Sequence, residues 1–381
     1  MERRTFIRTV GTGAAALVAG CSGQGSQQTT TETEGETTTA SETTTRTETG
    51  TTVGTASGDR TLVVATYSPF VDAPSSSPGA WLKEQFESEY DATLVWQTPD
   101  SEINYYIERA LQNVDIEADV YVGLNTDTLI RIDEKLDQPL FAEVGSGDIA
   151  GRDDVKQSLE FDPKGRAIPY DTGYISLVWN ENEIQAPATF DGLLDSEFSG
   201  DLITQNPTSS ETGRAFLLHT IKARGADGYL DYWKQLKDND VRVLGTWSDA
   251  YTAYSSGEAP MVVSYSTDQV YAHRADEDLS EHQIRFLNDQ GYANPEGMAQ
   301  FADTDNPDLA RQFMEFVLTP EVQAEIAVRN VQFPATTTAE LPDEYAKYAL
   351  EPPEPVTFTY QELKGNVGDW VDAWAQQFAS K

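Results

Sequence analysis

From Thr61 onward, short β-branched runs alternate with stretches whose apolar residues recur at helical spacing. Residues 61–66 are almost continuously apolar, the pattern of a parallel strand buried on both faces. Trp81, Leu82, Gln85, Phe86 and Glu89 follow at helical spacing and predict a helix over residues 80–90. A strand at 93–97, a helix at 101–113, a strand at 119–124 and a helix through Leu129, Ile130 and Leu136 continue the series. Such a β-α-β-α rhythm implies a mostly parallel sheet flanked by helices. It resumes with strands at 167–170 and 174–179, helices at 213–223 and 229–236, a strand at 241–244, a helix at 248–256 and a strand at 261–264. The last third reads as mainly helical, with Thr319-Pro320-Glu321 giving an N-cap position, a first-turn proline and an acid at the positive end of a helix.

The first 58 residues break this pattern. Arg3-Arg4 and the apolar Phe6-Ile7 precede a short run of small and apolar residues from Gly11 to Gly20, ending at Cys21. That run is shorter than the ~20 apolar residues needed to span a bilayer. Residues 1–21 therefore read as a twin-arginine export signal with a lipobox, Val18-Ala19-Gly20-Cys21, whose thiol would carry lipid. Residues 22–58 are rich in threonine, hold almost no apolar side chains and read as a disordered linker. The expected address is the extracellular face of the cell membrane, with lipid on Cys21 as the anchor.

Composition narrows the class. Cys21 is the one cysteine, so the folded part has neither a disulfide nor a cysteine metal site. The net charge is -37; residues 1–58 carry four Arg and six Glu, leaving 57 acids against 22 bases over the remaining 323 residues. A hydrophobic content of 39% in regular segments points to a packed core rather than an acidic disordered chain. Nucleic acid is excluded as a partner, because nothing here would neutralise phosphates. The acidity fits a halophile surface, hydrated and soluble in brine. The length of the folded part is large for one core and implies two lobes.

In an open α/β sheet a ligand sits beyond the carboxyl ends of the strands. Tyr67 to Phe70 follow the first predicted strand, and Asn125, Thr126 and Asp127 follow the third. Asp171 to Tyr174 follow 167–170, Trp247 and Ser248 come just after 241–244, and Tyr265 to Asp268 follow 261–264. Any single aromatic there is more often a packing residue, but three at matching positions, with acids and amides nearby, suit a flat organic cation. Each cation–π contact gives ~0.5–2 kcal/mol once desolvated. Thr208 to Gly213 precede a helix and offer hydroxyls and backbone N–H groups that fit a phosphate or an ordinary N-cap equally well. His219, His273 and His282 show no zinc-ligand spacing and read as surface or packing residues. Tyr105-Tyr106, the kind of pair that builds ferric sites, lies in a helical stretch and reads as packing. A secreted hydrolase would need a nucleophile–base pair or a metal set, and no such motif is present.

From Thr61 to the C-terminus the chain resembles the substrate-binding proteins of ABC importers, and among them the thiamine-binding family. The general importer signature is the segment 313–323, Phe-Met-Glu-Phe-Val-Leu-Thr-Pro-Glu-Val-Gln. More specific are Thr66-Tyr67 with Phe70, Val122-Gly123-Leu124, the run Pro169 to Tyr174, Asn206 to Ser210, Trp247 to Tyr251, and Ser264 to Thr267 with Tyr271. The resemblance implies a two-lobed type II periplasmic-binding-protein fold, with residues 59–168 and 288–381 in the first lobe and 169–287 in the second. It implies a non-enzymatic, monomeric protein that closes on thiamine or a thiamine phosphate and delivers it to a permease and an ATPase, without cofactor or metal. Tyr67, Trp247, Tyr265 and Tyr271 would line the site, with Asn125, Asp127 and Asp171 as polar partners and Ser209-Ser210 facing the phosphate end. Two positions depart from the family. Asn125 stands where an acid is usual, with Asp127 two residues on; and Val331 stands where an aromatic precedes Tyr-Pro, so a stacking partner is missing or supplied by Phe333. A polyamine or ferric iron is the alternative cargo.

Overall fold

A computed structural model of the chain describes residues 60–73, 76–145 and 147–379, all within one compact unit. The twin-arginine segment, Cys21 and the threonine-rich stretch lie outside the described residues. The chain opens with β1 (Thr61–Ala65), α1 (Ser68–Asp72), α2 (Gly79–Glu89), β2 (Thr93–Gln97), α3 (Ile103–Leu111), β3 (Val120–Leu124) and α4 (Thr126–Lys135). A second series runs through β4 (Ala167–Trp179), β5 (Leu202–Gln205), α5 (Glu211–Arg224), α6 (Tyr229–Asp238), β6 (Arg242–Leu244), α7 (Trp247–Ser255), β7 (Met261–Tyr265), α8 (Asp268–Arg274) and β8 (Gln283–Arg285). The chain then returns through β9 (Gln290–Gln300), α9 (Pro307–Val317), α10 (Pro320–Asn330) and β10 (Phe333–Pro334). It ends with α11 (Asp343–Ala346), β11 (Glu354–Val356), α12 (Tyr360–Leu363) and α13 (Val367–Ala379).

Two expectations change here. The strands expected at 167–170 and 174–179 are one continuous strand, β4, buried along its whole length, so Asp171 lies inside a strand rather than beyond one. The last third also holds the 11-residue β9, whose Gly-Tyr-Ala-Asn-Pro-Glu-Gly sequence hides a strand from propensity rules because its backbone is locked between two neighbours.

β4 and β9 explain the architecture. The strand order is β2-β1-β3-β9-β4-β7-β5-β6, with β10 and β8 also on β4 and β11 on β9. The pairs β1–β2, β1–β3, β5–β6 and β5–β7 are parallel, as the alternating pattern demands. The β3–β9, β4–β9 and β4–β7 pairs are antiparallel, so the sheet is mixed. The two long strands run side by side from one half of the sheet to the other, giving two lobes that share a pair of crossovers.

Each half buries its own aromatic cluster. In the first, Phe86 of α2 meets Phe313 and Phe316 of α9 edge-on at 5.5 and 5.6 Å. In the second, Trp233 of α6 meets Trp374 of α13 at 5.4 Å, and the Tyr229 hydroxyl donates to the Trp370 carbonyl. The C-terminal helix therefore rests on α6. Arg166, 2% exposed, sits between Asp162 and Asp133 of α4, and the Tyr360 hydroxyl donates to Asp133, tying the C-terminal region back to α4. Among the described residues no helix is long and apolar enough to cross a membrane.

Candidate functional site

The site begins at a backbone irregularity. β4 pairs with β9 with a register shift between Pro169 and Asp171, and this bulge sets Asp171 directly opposite Glu296. Two like charges facing each other across a ladder are destabilising; Asp171 is buried and Glu296 is half-buried. Glu296 Oε2 accepts from the Tyr170 hydroxyl at 2.6 Å and the Tyr67 hydroxyl at 2.9 Å. Asp171 Oδ2 accepts from Asn330 Nδ2 at 2.7 Å, while its Oδ1 is buried without a hydrogen-bond partner. Burial, then the charge of Glu296, holds the Asp171 carboxyl far above the ordinary carboxylate range. Burial also raises Glu296, against the lowering effect of its two tyrosine hydrogen bonds. The cluster is a pair of acids whose hydrogen-bond partners are neutral, the Tyr67 and Tyr170 hydroxyls and the Asn330 amide.

Asn330 connects this centre to an open cleft of about 170 Å³. Trp247, Tyr265, Asp268, Tyr271, Asn330, Val331 and Gln332 are among its walls. Trp247 starts α7, is 37% exposed, stacks on Tyr251 at 4.8 Å and donates its indole N–H to Ser264 Oγ. Its position is set by the helix start, where Thr246 Oγ1 caps the Asp249 N–H. Tyr265 lies flat against Gly173 of β4: any side-chain carbon there would come within 2.7 Å of its ring and 2.5 Å of Gln332 Oε1. Gly123, at φ +103°, plays the same part under Tyr67, whose ring would be 2.6 Å from an added carbon. Both glycines of the family-like segments thus serve close packing of a tyrosine on a strand.

Sequence-selected residues fall into three groups. Trp247, Tyr265 and Tyr271 share the cleft, and Tyr67 and Asp171 join it through Asn330, whose Nδ2 also lies 3.4 Å from the Tyr67 hydroxyl. Asn125 and Asp127 stand apart, around a second cavity of about 30 Å³ between α4 and α5. There Asn125 caps α4 through Thr128 N–H and donates to Glu211 Oε1 at 2.9 Å, and Asp127 pairs with Arg214. These are contacts across the sheet's two halves. Enclosure of its carboxyl by the surrounding protein, then the charges of Glu296 and Glu102, pushes Glu211 up to about 7, although part of the residue is exposed to solvent. Ser210 caps α5 through Gly213 N–H, and Ser209 donates to the Gly245 carbonyl, fastening the turn before α5 to the segment that leads into Trp247.

Phe333 does not stand in for the aromatic absent at Val331. It pairs in β10 with Thr172 and packs on Tyr174 at 5.2 Å, inside the protein. Val331 itself lines the cleft at φ 54°, a left-handed conformation rare for a β-branched residue. The Gln332 N–H bond to the Ala327 carbonyl and the Tyr345 hydroxyl bond to the Gln332 carbonyl hold it there. Glu296, Asn330, Glu211 and Arg214 were not singled out as site residues from sequence. The available signal for Glu296 is a lone acid within an otherwise uncharged run, 290–300 apart from its own position. The helical Tyr105-Tyr106 pair makes no site: Tyr106 is buried and bonded to Gln97, and Arg109 bonds the Tyr105 hydroxyl. Among the described residues no group of three His, Cys, Asp or Glu is placed to hold a metal ion.

A two-lobed fold with a polar-aromatic cleft at its crossovers defines a ligand-trapping binding protein. The sequence pattern of the bacterial extracellular solute-binding proteins matches residues 81–353, and the chain belongs to that family. It is 27% identical over 314 residues to the thiamine-binding periplasmic protein of Escherichia coli K12, covering 82% of this chain and 92% of that one. The protein of the same name from Brucella melitensis is 28% identical over 315 residues, covering 82% of this chain and 90% of the relative. Among solved structures, a periplasmic thiamin binding protein superposes with a TM-score of 0.70 at 24% identity, over 87% of this chain and 100% of that one. The ferric binding protein of Campylobacter jejuni shares the fold, with a TM-score of 0.68 at 18% identity over 83% and 99% of the two chains.

Proposed function

We propose that this protein captures thiamine or a thiamine phosphate between its lobes and delivers it to an ABC permease and ATPase carried by other chains, acting as a monomeric binding protein and not as an enzyme. The observation that carries this reading is the junction of a partly exposed indole and two tyrosines with an acid pair, buried Asp171 and half-buried Glu296, whose hydrogen-bond partners are all neutral. A flat heteroaromatic cation supplies both missing halves: a π-face for Trp247 and Tyr265, and a positive charge for the carboxylates. The named relatives at 27–28% identity support the same ligand class. In this reading the Ser209-Ser210 turn, at the start of α5 and fastened beside Trp247, faces the phosphate end.

The mechanism is hinge closure, in which ligand bridging the lobes shifts the population toward the closed form. The lobes divide where β4 and β9 cross, 60–168 with most of the returning chain against 169–287 with α13. Asn125–Glu211 and Asp127–Arg214 then act as a clasp across the closed cleft rather than as ligand contacts. Arg214→Ala is expected to weaken binding by roughly two- to fivefold, the value of a partly exposed ion pair, and to leave the ligand-free protein more open in solution scattering. An unchanged scattering profile with unchanged affinity would remove the clasp from the account. Trp247→Ala is expected to weaken binding by about tenfold with little change in melting temperature, because the indole is not part of a core. Equal affinity in titrations of the two proteins would exclude the stacking role.

The tether belongs to this proposal as well: export by the twin-arginine route, lipid on Cys21, and a threonine-rich leash that keeps the trap beside its importer in the extracellular space. The acidic surface adapts it to brine. The function is tested by following melting temperature against thiamine, its phosphates, putrescine and ferric iron, since a ligand of the folded state raises it. A shift confined to putrescine or iron would assign the cargo to one of them instead.

A further inference from the structure

Behind the aromatic wall of the cleft lies a buried histidine. His282 Nδ1 is 2.8 Å from Asp268 Oδ2, and its Nε2 is 3.2 Å from Glu277 Oε2. A neutral imidazole carries one N–H and one lone pair. With a carboxylate oxygen at each nitrogen, either neutral tautomer would set a lone pair against an anion, whereas the doubly protonated ring donates to both. Asp268 lines the cleft and is itself buried. The Tyr251 hydroxyl reaches the same carboxylate and lies 3.2 Å from His282 Nδ1. The ring of Tyr251 is the surface on which Trp247 stacks, with an interplanar angle of 23°.

We infer that His282, held as an imidazolium between Asp268 and Glu277, is a positioning residue for ligand binding: it fixes Asp268 and the Tyr251 hydroxyl, and through Tyr251 the indole of Trp247. The chain of contact runs from a charge outside the cleft to an aromatic face inside it. The groups facing the imidazole are Asp268 from α8, Glu277 from the loop after it, Glu281 beside it in sequence, and Tyr251 from α7; the Tyr254 hydroxyl is bound to the Glu281 carbonyl. Burial works against the charge, but Asp268 and the neighbouring glutamates outweigh it and leave the His282 pKa raised. The support for Trp247 is therefore complete at low pH and is lost as pH rises through that raised value.

The inference rests on the proposed ligand, so its test has an arm that needs none. With three histidines in the chain, the imidazole nitrogen resonances of His282 can be assigned by their loss in His282→Gln. The expected result is a doubly protonated ring at pH 7 and a ligand-free Trp247 emission, taken as the difference from Trp247→Phe, that titrates in the wild type but not in His282→Gln. Thiamine affinity should fall with pH across the same window in the wild type, and should be about tenfold weaker and pH-independent there in His282→Gln. Tyr251→Phe, which keeps the ring and removes the hydroxyl, should also flatten the emission profile while retaining a folded protein. A neutral His282 at pH 7, or emission and affinity profiles shared by wild type and His282→Gln, would overturn it. Failure of the wild type to bind any thiamine form would instead count against the ligand assignment, leaving the resonance and emission results to decide the role of His282.

Discussion

Glu296→Gln is expected to raise the melting temperature of the ligand-free protein while weakening its hold on a cationic ligand by ~10–100-fold, the range for a hydrogen-bonded charged group. The two effects have one origin. In the wild type, Glu296 and Asp171 face each other across β4 and β9, and the protein around them raises both. A glutamine keeps an oxygen to accept from Tyr67 and Tyr170 but removes the acid whose ionisation is penalised here and whose charge opposes that of Asp171. Relief of even 1–2 kcal/mol corresponds to roughly 1.5–3 °C, at ~2.1 cal/mol/K of unfolding entropy for each residue of the folded part. The sign with pH follows from the direction of the shifts. An acid whose folded pKa is raised destabilises the fold increasingly as pH rises from its unfolded value through its folded one, and costs nothing below the unfolded value. The stabilising effect of the substitution should therefore be largest at neutral pH and vanish toward about pH 4, below the ordinary glutamate value. Melting curves of both proteins across that range, with titrations at neutral pH, decide it. A variant that is less stable at every pH, or that binds as tightly as the wild type, would show that the acid pair is structural.

Transfer from dilute buffer to multimolar KCl is expected to raise the melting temperature by on the order of 10 °C, equivalent to several kcal/mol at roughly 1.5 °C each. Beyond residue 58 the chain carries 57 acids against 22 bases. Screening extends over ~30 Å at 0.01 M ionic strength and only ~3 Å at 1 M, so repulsion acts across most of the molecule in dilute buffer and scarcely past nearest neighbours in brine. The ion pairs cannot offset it: several, such as Lys234–Asp238 and Arg311–Asp308, are exposed, and exposed pairs give ~0–1 kcal/mol. Arg166, enclosed by Asp133 and Asp162, is buried but neutralises only its own neighbours. Stacking on Trp247 does not depend on long-range attraction and should persist at high salt. A melting temperature indifferent to salt over this range would contradict the halophilic reading.

Much of the fold is legible in the sequence because its outer strands and helices obey simple periodicities. The strand at 93–97 is found where the apolar pattern puts it, and the helix after it is shorter at both ends by about one turn or less, as fraying termini usually are. β9 is not legible, because glycine, proline and asparagine occupy a segment whose extended shape is imposed by β3 and β4 on either side. The site shows the same division. Trp247 and Tyr265 are readable as strand-end aromatics and meet in one cleft with Tyr271, which the family resemblance alone points to. Glu296 is not, since its meaning comes from lying opposite Asp171, a relation fixed by register and a bulge rather than by local sequence. Asn125 and Asp127 carry the right chemistry at the right end of β3, yet their partners Glu211 and Arg214 lie 86 and 87 residues away, and only the tertiary fold brings them together.

The most direct test of the central claim is an equilibrium titration of the protein with thiamine in high salt, read by tryptophan emission and by calorimetry on the same sample. Saturable one-to-one binding is expected, with an emission change that is lost in Trp247→Phe and an affinity that drops in Glu296→Gln. Absence of binding by thiamine and by its mono- and diphosphates, in protein that melts cooperatively, would contradict it.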